Sequence, residues 1–101
     1  MKLFIDTSNR NEVKVAIKFN SKLYKKTVKN IKSQNVLQLI DELLRENKFE
    51  LKDIREIEVN TGPGSFTGLR VGISVANALG FALKIPVNGK RAGLVQPVYN
   101  K

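Results

Sequence analysis

The segment from Phe66 to Leu83 constrains the fold more than any other part of the chain. Its polar residues are Thr67, Arg70, Ser74 and Asn77, and everything else is apolar or Gly. A helix apolar around so much of its girth is not satisfied by a sheet on one side and water on the other. Gly68, Gly72, Ala76 and Gly80 recur at intervals of four, a row of small side chains along which another backbone can approach closely. Gly in a helix costs about 0.5–1 kcal/mol against Ala, so packing must compensate for it. The row is expected to serve an internal contact, while Leu69, Ile73 and their neighbours serve an external one.

Immediately before this helix, Gly62-Pro63-Gly64-Ser65 breaks a strand. A glycine-rich loop between strand and helix invites a phosphate reading, because helix N-terminal amides bind anions. The Walker pattern needs Lys and then Ser or Thr after its second Gly, whereas Gly68 is followed by Leu69-Arg70. The dinucleotide pattern fails on spacing. The loop therefore reads as a structural corner, with Pro63 fixing φ and Ser65 capping the helix.

The rest of the chain supplies a sheet and a second helix. Leu3-Phe4-Ile5 is a short apolar run ending in the polar turn Asp6-Thr7-Ser8-Asn9. Val13, Val15, Ile17 and Phe19 alternate with Lys14, Ala16, Lys18 and Asn20, the period of a strand with one buried face. Asn20-Ser21 turns the chain into a third strand over Lys22–Val28, which makes an antiparallel meander. From Ser33, a candidate N-cap, the period changes: Val36, Leu37, Leu39, Ile40, Leu43 and Leu44 share one side of a helix ending near Asn47. Ile54, Ile57 and Val59 predict a fourth strand reaching Thr61, and Ile85-Pro86-Val87 a short fifth. The order is βββαβαβ, a mixed α/β sheet with two helices and right-handed crossovers.

Composition narrows the chemistry. In 101 residues there is no His, Cys or Trp. That removes thiol nucleophiles, Ser–His pairs, Cys/His zinc sites and imidazole acid–base catalysis. A two-metal nuclease would need several converging acids. Asp6 ends the first strand, but the fourth ends in Asn60-Thr61, so Asp6 reads as a turn former with Thr7 and Ser8. The apolar stretches look short of the ~20 residues of a membrane span, and Asp6 comes too early for a signal peptide. A cytoplasmic protein is expected, with no cofactor.

The formal charge is +9 and uneven: residues 10–32 carry eight bases and one acid, residues 33–62 four bases and seven acids, and residues 63–101 five bases and no acid. A basic chain suggests a polyanionic neighbour, while lysines on an edge strand also discourage aggregation. A stand-alone basic RNA-binding module, or a homodimeric interaction module, is the alternative function.

Thr61-Gly62-Pro63-Gly64-Ser65-Phe66-Thr67-Gly68-Leu69-Arg70-Val71-Gly72-Ile73-Ser74 resembles the G-P-G-S-F-T-G-[LV]-R-[IV]-G signature of the TsaB (YeaZ) family, the bacterial tRNA threonylcarbamoyladenosine biosynthesis proteins. Leu3-Phe4-Ile5-Asp6-Thr7-Ser8 is similar to the family's opening I-D-T-S. Leu39-Ile40-Asp41-Glu42-Leu43-Leu44 is similar to its first helix, and Ile85-Pro86-Val87 to its I-P-V strand. The likeness covers residues 1–88.

The resemblance implies one lobe of the RNase H-like (actin/sugar-kinase/Hsp70-like) architecture. It implies a catalytically silent paralogue that binds and stabilises the catalytic subunit TsaD, with the ATPase TsaE joining the assembly that makes threonylcarbamoyladenosine at position 37 of tRNA. The absence of His fits the silent member, since TsaD-like enzymes carry an H-x-x-x-H metal pair. Partner contact through a four-helix bundle, or a homodimer through the same surface, is expected at Val36, Leu39, Ile40 and Leu43 of the first helix. In the second helix it is expected at Leu69, Arg70, Gly72, Ile73, Ala76 and Asn77. Residues 1–88 are expected to form the lobe. Residues 89–101 make a basic tail where the family continues into a second lobe, so the chain is expected to be a natural minimal form or a truncated one.

Overall fold

Alternation over residues 2–29 and again over 56–59 builds a four-stranded sheet. The computed structural model describes residues 1–29, 36–90 and 95–96. Strands β1 (Lys2–Asp6), β2 (Glu12–Phe19), β3 (Lys22–Lys29) and β4 (Glu56–Val59) lie in the order β3-β2-β1-β4. β2 runs antiparallel to both β1 and β3, and β4 pairs parallel with β1. The register sets Leu3 beside Ile17 and Ile57, and Ile5 beside Val15 and Val59, so all six share one face. That face is buried; Lys14, Lys18, Lys25, Glu56 and Glu58 are exposed on the other.

Two helices cover the apolar face. α1 (Val36–Glu46) lies against β2 and β3, and α2 (Phe66–Leu83) against β4 and β1. α1 turns Val36, Leu39, Ile40, Leu43 and Leu44 inward, the stripe its periodicity predicts. Its end is marked by Asn47, whose Nδ2 donates to the Leu43 carbonyl at 2.9 Å. The expected Ser33 cap lies outside the described residues. α2 begins at Ser65, whose Oγ accepts from the Gly68 amide at 3.3 Å, and ends at Lys84 in the left-handed conformation. With 18 residues and a mean hydropathy of 1.4, α2 reaches the lower range of membrane-spanning segments by length and composition, which the sequence reading did not anticipate. Within the fold its inward side, Leu69, Ile73, Ala76 and Leu79, belongs to the core.

The expected fifth strand is reduced to one bridge. Val87 pairs parallel with Ile57, flanked by Ile57 N–H donating to the Pro86 carbonyl at 3.0 Å and Asn88 N–H to the Ile57 carbonyl at 2.8 Å. Pro86 has no amide to donate, and Asn88 and Gly89 take φ of 50° and 80°, turning the chain back so that Lys90 bridges Val87. The Asn88 side chain continues the pairing in place of backbone: its Oδ1 accepts from Val59 N–H at 2.8 Å and its Nδ2 donates to the Val59 carbonyl at 3.1 Å.

Candidate functional site

The strand ends and the start of α2 meet in a corner whose polar groups are committed to one another. Asp6 Oδ1 accepts from Ser8 N–H at 3.0 Å, Ser8 Oγ at 2.6 Å and Asn60 Nδ2 at 3.2 Å. Asn60 Oδ1 accepts from Gly62 N–H at 2.9 Å, and Ser65 N–H donates to the Ser8 carbonyl at 2.7 Å. Burial pushes the Asp6 carboxyl upward, but the bonds from Ser8 and Asn60, with the nearby Lys14 charge, outweigh it and hold it below the ordinary carboxylate value. Thr7 is fully buried: its hydroxyl donates to the Gly68 carbonyl and accepts from Gly72 N–H at 3.1 Å.

Thr7 and Val87 explain the spacing of the glycines. A Cβ on Gly68 would lie 2.2 Å from the Thr7 carbonyl oxygen, and one on Gly72 would lie 2.3 Å from Thr7 Oγ1. A Cβ on Gly80 would lie 2.4 Å from Val87 Cγ2. The row of small residues therefore seats α2 on the end of β1 and on the Val87 segment. Gly62, Pro63, Gly64 and Ser65 form the turn that brings the helix there. Among the described residues every buried side-chain nitrogen and oxygen is hydrogen-bonded, and no three acidic side chains converge as a metal cluster would need.

Most of the residues expected to meet a partner lie in the chain's own interior. Val36, Leu39, Ile40 and Leu43 of α1 and Leu69, Gly72, Ile73 and Ala76 of α2 are all buried against the sheet and each other. Asn77 is half-buried and holds residue 95: its Oδ1 accepts from Val95 N–H and its Nδ2 donates to the Val95 carbonyl, both at 3.1 Å. Val95 is thereby drawn into the core beside α2. Arg70 is exposed, its guanidinium 5.0 Å from the centre of the Phe66 ring.

Other side chains form the outer face of α2. Phe81 is 87% exposed, Phe66 54% and Val71 41%, alongside exposed Thr67, Ser74, Ala78 and Ala82. Arg70 is the one charged residue within the helix. Sequence reasoning missed these three large residues because they interleave with the polar Thr67, Arg70 and Ser74 on the outer side and form no apolar stripe of their own. Two signals were available: the polar residues, which face water, and the glycine row, since small residues face the tightest contact and the opposite side faces out. On α1 the outer face is polar or charged except for Leu37, which is 47% exposed and borders a groove lined also by Leu44, Phe49 and Leu51.

Comparison with known proteins agrees with this lobe. A family model of tRNA N6-adenosine threonylcarbamoyltransferase, TsaD, matches residues 16–89. The chain is 36% identical over 90 residues to the tRNA threonylcarbamoyladenosine biosynthesis protein TsaB of Buchnera aphidicola subsp. Schizaphis graminum, covering 86% of this chain and 42% of that protein. It is 46% identical over 56 residues to the tRNA N6-adenosine threonylcarbamoyltransferase of Nitrosospira multiformis, covering 55% of this chain and 16% of the enzyme. The solved structure of YeaZ from Pseudomonas aeruginosa superposes with a TM-score of 0.79 at 32% identity, over 85% of this chain and 40% of that one. The chain thus spans about two fifths of the length of the TsaB and YeaZ proteins it matches. On the glycine corner, the sheet order and these matches together, the chain belongs to the TsaD/TsaB family as a TsaB/YeaZ-like protein with the mixed α/β, RNase H-like single lobe.

Proposed function

We propose that this chain is a non-catalytic subunit in tRNA threonylcarbamoyladenosine synthesis, docking onto a TsaD-type transferase through the outward face of α2 with α1 beside it. One observation carries the reading: Phe66, Val71 and Phe81 project from a helix face with a single charge. Burying such a face is worth about 25 cal/mol per Å² of apolar surface, with nothing ionic to desolvate beyond Arg70. The absence of His and Cys from the sequence supports a supporting rather than a chemical role. TsaE would join the larger assembly, tRNA would be met through it, and the setting would be cytoplasmic with no cofactor. Residues 1–88 serve as the docking lobe, and residues 89–101 follow as a basic tail.

The test is co-purification with the TsaD-type protein of the same organism, followed by mass measurement. The wild-type chain should form a stable complex, and Val71→Asp with Phe81→Asp should weaken it by about tenfold or more while leaving the melting temperature unchanged. A complex of unchanged affinity in the double variant would reject the α2 surface. A homodimer abolished by the same pair of substitutions, with no complex, would favour the self-association reading.

A further inference from the structure

The uncovered face of the sheet is electrically divided. On the β1–β4 side, Lys2 is held by Glu56 at 3.3 Å and Glu58 at 2.9 Å, so its charge is already answered. On the β2–β3 side the charges run the other way. The register sets Ala16 opposite Lys25, Lys18 opposite Leu23, Lys14 opposite Thr27 and Glu12 opposite Lys29. Lys14 is engaged by Glu12 at 3.4 Å, but Lys18, Lys25 and Lys29 are exposed and have no ion pair among the described residues. Lys26, on the opposite face, is neutralised by Glu46 and Glu42 of α1 and does not contribute.

Protection of the β3 edge accounts for lysines on that strand. It does not call for Lys18, which stands on β2, a strand paired on both sides. Lys14, Lys18 and Lys25 surround the small Ala16, with diagonal neighbours about 7–8 Å apart on such a sheet. Covering that array with an apolar partner would strand ammonium groups away from water. A chain of phosphates would instead answer it, releasing counterions as it does so.

We infer that the open β2–β3 face, through Lys18, Lys25 and Lys29 with Lys14 beside them, binds the phosphate backbone of RNA. The choice of tRNA as the polyanion rests on the function proposed above; the surface itself rests on charge and register. The β2–β3 part of this face carries no aromatic side chain, and Phe4 of β1, opposite Ala16, is half-buried with the Lys2 ammonium 5.2 Å from its ring. Contact is therefore to phosphates and not by base stacking, and it carries no sequence preference.

The experiment measures tRNA binding by the whole chain across a salt series, beside co-purification with the TsaD-type protein. Wild type should bind with a steep salt dependence. Lys18→Glu/Lys25→Glu/Lys29→Glu should weaken binding by about tenfold or more at low salt and flatten the slope of log K against log salt by about 2–3. A control with the same charge change, Lys48→Glu/Lys52→Glu/Arg55→Glu in the α1–β4 connection, should bind more tightly than the sheet-face variant. Equal losses in the two variants, or no tRNA binding by wild type, would overturn the inference. So would binding to phosphatidylserine vesicles or polyglutamate that matches or exceeds binding to tRNA. Loss of tRNA binding with the protein complex intact supports it. Failure to capture the TsaD-type protein while tRNA binding follows this pattern would remove the docking proposal and leave this surface standing.

Discussion

The two helices cover the same sheet and solve their outer faces in opposite ways. α1 finishes itself: Arg45 pairs with Asp41 at 2.9 Å, and Lys26 reaches from β3 to Glu46 at 2.8 Å. Its inner stripe is apolar and its outer side charged, so water satisfies what the sheet does not. α2 is apolar on its inner side and mixed on its outer one, where exposed Phe66, Val71 and Phe81 stand among Thr67, Arg70 and Ser74. Its inner side is shaped by glycines that let the backbone touch Thr7 and Val87, and its outer side leaves Phe81 almost fully exposed. Apolar content alone therefore says little about where a partner binds. An apolar stripe on an otherwise charged helix belongs to its own core, and apolar residues left over on the far side are the ones that need cover.

The sharpest way to break this contrast is to spoil the inner side of α2. Gly68→Ala sets a methyl against the Thr7 carbonyl oxygen, a fixed backbone atom, and should cost about 2–4 kcal/mol despite the better helix propensity of Ala. Leu39→Ala on α1 should cost a similar ~2–5 kcal/mol by leaving a cavity. Urea denaturation of the two variants checks both, and a neutral Gly68→Ala would mean the seat on Thr7 is looser than its geometry.

Next in size is the effect on binding already described: Val71→Asp with Phe81→Asp should weaken partner capture by about tenfold or more at unchanged melting temperature. A pair on α1 with the same charge change, Gln38→Asp with Arg45→Gln, should leave capture intact. If the α1 pair disrupts binding as strongly, the two outer faces are not different in kind.

A third effect depends on pH. Asp6 sits below its ordinary carboxylate value in the fold, so its contribution to stability is present above about pH 4. It is lost as the pH falls through the lower, folded-state value. Asp6→Asn should flatten the acid limb of stability against pH in that window, measured by thermal melts between pH 2 and pH 6. An unchanged acid limb would show that the corner does not depend on the charge.

The smallest effect belongs to the surface of α1. Arg45→Ala should change stability by no more than ~0.5 kcal/mol, because an exposed i,i+4 pair is screened by water. A larger loss would mean that the charged face of α1 is not simply solvated.

Much of this lobe is legible from local pattern. Period-two alternation in β2 and the apolar stripe of α1 each identify an element and the face it buries, because burial on one side leaves a periodic trace. The corner was legible too, since Gly and Pro after a strand have few alternatives. The brevity of the pairing at Val87 was not: whether a short run extends depends on Asn88 and Gly89 turning it back to Lys90, and on a side-chain amide standing in for backbone.

By itself the sequence determined that this is a mixed α/β lobe without His or Cys chemistry, and that its second helix carries more apolar surface than its own sheet can use. Tertiary structure decided which residues are left over. Thr7, distant in sequence, fixes the rotation of α2 by bonding to Gly68 and Gly72. That contact turns Leu69, Ile73 and Ala76 inward and Phe66, Val71 and Phe81 outward. The exposed polar residues Thr67, Arg70 and Ser74 mark the outer side only weakly in so apolar a helix, and the long-range contact to Thr7 sets the rotation.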